Sequence, residues 1–168
     1  MEGLAVAAGV SKALPYRHFA NANAALIALM AREVAHLGQA MTAACVGIDD
    51  GDQLIIAAIG AYFDVVGERG GLLNALASPG SSIPELAAGG VRTPPTFLLK
   101  LLQRGYQIDD EHATFAAWIV TALAIAGSDS IARDDAPRSM IEPLTVAAIV
   151  ASVRAVVEGR PNAQAPRQ

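Results

Sequence analysis

The sequence has one cysteine, Cys45, and only 5% aromatic residues in 168. A lone thiol cannot pair within its own chain, which excludes a small disulfide scaffold and fits a reducing compartment. Charged residues are also scarce, 17% against 53% hydrophobic. That balance excludes disorder as the main state, because disordered chains are rich in charge and poor in apolar side chains. The net charge is −4 and the pI about 5.3, and the twelve basic residues form no run. The chain as a whole is therefore not an obvious polyanion binder, although a small DNA-reading module can ride on an acidic partner domain. Its first residues lack the basic-then-apolar layout of a secretory signal. The longest apolar run, Ala113–Gly127, would rise only about 22 Å as a helix, short of a bilayer core of roughly 30 Å. The expectation is a soluble, cytoplasmic protein with no membrane partner.

What is present is helical periodicity. Leu26, Met30, Val34, Leu37, Met41 and Cys45 recur at steps of three or four, one stripe of a long helix. Asn21 or Asn23 can cap its start, and Gly47 follows its end. A second helix is predicted from Asp52 to Val66, broken by Arg69-Gly70-Gly71, with a short piece over Leu72–Ala77. The proline- and glycine-rich stretch Ser78–Thr96 reads as a long loop, of the kind that often forms a lid or binding element. Helix resumes over Phe97–Tyr106, from Asp109 or Asp110 to Ile131, and over Pro137–Glu158, with Pro143 in its first or second turn. The last two are apolar on nearly every side in their middles, and such a helix must be covered all round. A chain this short has too few other helices to cover both, so the same pair from a second subunit is the expected cover. This predicts a homodimer through residues 112–131 and 137–158, with Ala117, Leu123, Ile149 and Val153 at the seam. The polar tail 160–168 is expected to be flexible.

No constellation of catalytic or metal-binding residues stands out. His18, His36 and His112 are far apart and lack partners at ligand spacing. Asp49-Asp50-Gly51-Asp52 matches a calcium loop for four residues and then lacks the glutamate at the twelfth position, so helix capping is its reading. Asp109-Asp110-Glu111 reads as acids at the positive end of a helix dipole. Asp64 and Glu68 fit a solvated helix face, and Cys45 fits a core thiol. No enzyme activity and no cofactor are expected.

The first thirty residues are the informative ones. Leu4, Ala5 and Ala8 suit a short helix, Gly9 permits the positive φ of a tight turn, and Ser11 can cap the next helix. Small Ala5 and Ala8 suit close helix crossing, and Val10 is the apolar plug of the turn. With Gly9-Val10-Ser11-Lys12, Tyr16-Arg17-His18-Phe19, and an Asn-capped helix bearing Ala24, Leu26 and Leu29, the segment resembles the TetR family of bacterial transcriptional regulators. The resemblance implies an all-α protein: a partial helix–turn–helix over residues 1–22, then a helical effector-binding and dimerisation domain over 23–159. It implies that Ser11 and Lys12 open the recognition helix, that Tyr16 contacts backbone phosphate with Arg17 or His18 in support, and that Leu14 lies on the same DNA-facing element. The family's last two helices form a four-helix bundle with their copies, the same pairing that the covering argument gives.

The match begins where the family's second helix starts, and Leu14, Pro15 and Ala22 differ from the residues usual at their places. Operator binding by this form is therefore expected to be weak. Pro15 has no N–H to donate and disfavours helix in Leu14, so regular helix is predicted to begin nearer Leu14, after an irregular turn over Ser11–Ala13. An effector pocket is expected between Asp52–Val66, Phe97–Tyr106 and His112–Ile131, roofed by part of Ser78–Thr96, with Tyr62, Phe63, Phe97, Leu101, Phe115 and Trp118 as its walls. Few charges are available there, so the effector should be small and apolar or aromatic. The resemblance thus implies a ligand-responsive, repressing regulator whose operator affinity falls when the effector binds. The competing reading is a DNA-independent all-α protein for small-molecule binding or dimerisation.

Overall fold

A computed structural model describes residues 1–77 and 94–159. The described chain is all-helical, with α1 (Glu2–Ala7), α2 (Ala13–His18), α3 (Ala22–Ala44), α4 (Gly51–Ala77), α5 (Thr96–Tyr106), α6 (Asp110–Ala132) and α7 (Arg138–Glu158). The expected loop over 78–93, its part in roofing a pocket, and the tail 160–168 lie outside the described residues. The described residues fall into two compact units, Met1–His36 with 72–77, and Leu37–Gly71 with 94–159.

Local chemistry sets most helix ends. Asn21 Oδ1 accepts from the Ala24 N–H (2.9 Å) and starts α3. Asp50 does the same for α4 through Gln53 N–H (2.9 Å), and Asp109 for α6 through His112 N–H (2.9 Å). The acidic runs are therefore caps, as their position before apolar helices implied. Gly47 turns the chain after α3 with φ +76°. Pro137 is the N-cap of α7, and Pro143 sits in its second turn. One boundary differs from the sequence reading: α4 runs unbroken through Arg69-Gly70-Gly71 to Ala77. A helical glycine costs about 1 kcal/mol against alanine, yet it removes no hydrogen bond, so a glycine pair weakens a helix without ending it.

In the first unit α1 and α2 pack as a pair around Ala5, which is fully buried. Gly9 has φ +64°, and around it Val10 N–H donates to Ala5 O (3.0 Å) and Gly9 N–H to Val6 O (3.2 Å). Those two bonds satisfy the last carbonyls of α1 through a left-handed glycine. Helix α2 begins at Ala13 with no side-chain cap, and Leu14 N–H donates to Ser11 O (3.0 Å). Ser11 is thus not the capping side chain, because Pro15 needs a first-turn position and shifts the helix start onward.

The second unit is built around a layer of α4, α5, α6 and α7, with the last turns of α3 adding Met41 and Cys45. Helices α6 and α7, joined by five residues, pack along each other, and α5 packs on α6. Glycines set the closest approaches. A Cβ on Gly127 of α6 would stand 2.6 Å from Thr145 Oγ1 of α7 and 3.0 Å from Phe63 of α4. A Cβ on Gly105 of α5 would stand 2.7 Å from Leu54 and 2.9 Å from the Gly51 Cα of α4. Both α6 and α7 match a membrane span in length and mean hydropathy, 1.6 and 1.8, as core helices of soluble proteins also do.

The expected dimer seam needs correction. Ala117, Ile149 and Val153 are fully buried within the single chain, and Leu123 is half-buried against the same core, so all four face inward. Gly105→Ala should lower stability by about 1–3 kcal/mol in urea denaturation, since the new methyl must push α5 off α4. At an open helical site the same change would stabilise, so an unchanged or raised midpoint would contradict this packing.

Candidate functional site

The apolar cavity of the second unit is walled by Gly51, Leu54, Ile55, Ala58 and Ile59 of α4, by Leu98, Leu101, Leu102 and Tyr106 of α5, and by Val120 of α6. The space open to the centre of a water-sized sphere is about 10 Å³, room for at most one water. An effector of drug size needs several hundred Å³. It would therefore have to part α5 from α4.

Leu101 is the one proposed wall residue that lines this cavity. Phe63 is buried in the core, and its ring meets the Tyr62 ring edge-on at 5.5 Å. The Tyr62 hydroxyl bonds Ser128 Oγ (3.0 Å), and burial pushes its pKa up. Phe97 packs over Gly38 of α3, where a Cβ would meet its ring at 2.9 Å. Phe115 and Trp118 are 59% and 37% exposed and lie on the outer face of α6. The sequence reading puts both inside on their aromatic character, but on a helix apolar all round that character does not fix the inward face.

Beside the cavity is a polar cluster assembled from three helices. Asp52 of α4 accepts from the Tyr106 hydroxyl of α5 (2.7 Å) and from Arg154 Nη2 of α7. The Arg154 hydrogen bond chiefly holds the Asp52 carboxyl below its usual range. Burial, reinforced by the bond to Asp52, pushes Tyr106 up and keeps its hydroxyl protonated. Next along α5, Arg104 donates to the carbonyls of Cys45 (3.1 Å) and Ile48 (3.2 Å) just past α3. The buried Cys45 thiol donates to Leu54 O (3.4 Å), and burial raises its pKa. The cluster has fixed charges and satisfied hydrogen bonds but no arranged nucleophile and base. Among the described residues no group of His, Cys, Asp and Glu could hold a metal ion. Sequence reading missed Asp52 as an ion-pair partner, together with Arg104 and Arg154, because their partners lie more than fifty residues away.

In the first unit, Ser11, Lys12, Tyr16, Arg17 and His18 are all exposed, Tyr16 by 57%, and Leu14 is half-buried. Lys12 Nζ pairs with Glu2 Oε1 at 3.0 Å across the α1–α2 pair. Such an exposed pair contributes about 0–1 kcal/mol and can be given up to a stronger anion. Compared with protein-family models, with curated proteins and with solved structures, the chain matches none.

The Asp52 cluster gives a pH dependence of definite sign. A carboxylate whose folded pKa is depressed adds stability above its unfolded value, and that stability is lost as pH falls through the folded pKa. Asp52→Asn should cost about 1 kcal/mol at pH 7, a modest figure because Arg154 is largely exposed. The gap from the parent should close as the pH is lowered below about 4. Thermal melts of both proteins from pH 7 to 3 would check it; a gap that does not narrow would show that the carboxylate charge is not what stabilises the cluster.

Proposed function

We propose that the chain is a homodimeric, ligand-responsive DNA-binding regulator of the TetR type, with repression as its mode. The observation that carries the reading is the α1–α2 unit. Two short helices are joined through a left-handed glycine, and an extended Phe19 and an Asn-capped long helix follow. Tyr16, Arg17 and His18 lie exposed on the second of the two helices. In this reading these side chains contact phosphates and fix register, while Ser11, Lys12 and Leu14 approach the bases. Leu4 and Val10 are 44% and 38% exposed, so the pair has little core of its own and binds DNA weakly.

The effector is small and apolar or aromatic, because the cavity between α4, α5 and α6 is lined almost wholly by hydrocarbon. It acts by preferring a state in which α4 and α5 are further apart, and its effect on operator affinity equals that preference. The dimer rests on the outer face of α6 and α7. Phe115, Trp118, Ala122 and Ile125 form one exposed stripe, and Met140, Leu144, Ala148 and Ala151 another. Two adjoining helices with continuous apolar outer stripes suit a matching pair from a second copy, related by a two-fold axis.

Sedimentation should show a dimer at micromolar concentration, with an interface above about 2,000 Å² in total. Leu144→Arg, at a position 63% exposed, should yield a folded monomer. A stable monomeric parent would overturn the dimer. For DNA, gel shifts on the region upstream of the coding sequence should weaken steeply with salt, and Arg17→Ala should reduce that salt slope by about one contact. Dimerisation without any DNA binding at low salt would favour the DNA-independent binding protein.

A further inference from the structure

Helix α5 touches α3 at two points. Near its start the Phe97 ring lies over Gly38, and near its end Arg104 reaches the carbonyls of Cys45 and Ile48. Arg104 stands seven positions after Phe97, and Cys45 seven positions after Gly38. That is about two turns on each helix, so α5 lies in step along the end of α3. The two contacts differ in kind. The first is a ring on a bare backbone. The second sets a guanidinium on two carbonyls of the turn that follows the negative end of the α3 dipole.

Other side chains of the same helix, Leu98, Leu101, Leu102 and Tyr106, wall the cavity. A helix of eleven residues moves as a unit. Its far end is already in backbone contact with α4 at Gly51 and Gly105, and the cavity holds at most one water. Nothing larger can enter without shifting α5, and a shift of α5 draws Arg104 from its carbonyls. The turn that would respond is marginal by itself. Cys45, Val46 and Ile48 N–H donate there to the carbonyls three residues earlier, in the tighter 3₁₀ pattern at 3.1–3.3 Å, and Ile48 N–H shares the Cys45 carbonyl with Arg104.

We propose that Arg104 couples the filling of the α4–α5 cavity to the C-terminal turn of α3: the turn is held while the cavity is closed and released when α5 is pushed outward. This rests on the effector reading for its biological use, but its mechanics require neither effector nor DNA. Arg104 is a positioning residue and touches no ligand.

Amide hydrogen exchange on the full chain tests it. Ala58→Leu adds three carbons to the cavity wall and stands in for a ligand. Gly127→Ala instead crowds Thr145 of α7 and Phe63 of α4, neither of which lines the cavity, and serves as a control of similar packing cost. Arg104→Gln removes the tie with no change in the core. Exchange of Cys45, Val46 and Ile48 should quicken about tenfold in Ala58→Leu and in Arg104→Gln, the size expected for loss of a charge-assisted hydrogen bond. It should remain near the parent rate in Gly127→Ala, and the double variant should be less than additive. Unchanged exchange in Arg104→Gln would overturn the proposal, as would equal quickening in Ala58→Leu and Gly127→Ala. Should Ala58→Leu fail to fold, Ala58→Val gives the same comparison with a smaller wedge. Absence of DNA binding would leave these outcomes unaltered and would count against the regulator reading alone.

Discussion

The second unit depends on the contact between Gly51 and Gly105. With no side chain on either residue, the start of α4 and the end of α5 meet backbone to backbone, and Leu54 fills the remaining space. This approach brings the Tyr106 hydroxyl to Asp52, where Arg154 completes the charge pairing from α7. It also brings Arg104 to the end of α3 and narrows the apolar cavity to a single water's volume. One close helix contact thus sets both the polar cluster and the size of the cavity. In a close-packed interior a bulkier residue there could not be absorbed locally.

Scarcity of aromatic residues shapes the rest. A core made largely of alanine, leucine and isoleucine lets helices approach closely, and Ala113, Ala116, Ala117 and Ala124 form an inward face of α6 with almost no exposure. The same composition leaves an apolar outer face. Phe115, Trp118, Ile125, Met140 and Leu144 all remain at the surface of the single chain. Full burial of each would be worth roughly 1.5–3 kcal/mol, so an uncovered stripe of this kind has a strong tendency to associate. The exposed stripe and the inward face are separate features of the same two helices.

Several features were legible in the sequence because their causes are local. The Asn21, Asp50 and Asp109 caps act within three residues, Gly9 and Gly47 adopt the positive φ that only a side chain-free residue takes easily, and Pro15 sets the start of α2 through its missing donor. The Gly70-Gly71 break was misread because a glycine pair lowers helix propensity without removing a hydrogen bond, and the rest of α4 continues through it. Of the six residues placed at the pocket, Leu101 lines the cavity, while Phe115 and Trp118 lie outside.

What the sequence by itself determined is the all-helical class, most helix limits, and a surplus of apolar surface on the last two helices. Each follows from composition or from interactions a few residues long. Only the tertiary structure decided which side of α6 and α7 is inward. A helix apolar all round carries no periodic signal to distinguish its faces, so Ala117, Ile149 and Val153 went to the core and Phe115 and Leu144 to the surface through packing alone. Packing also made the Gly51–Gly105 contact and the reach of Arg104 to α3, since these join residues more than fifty positions apart that acquire a relation only once the helices are stacked.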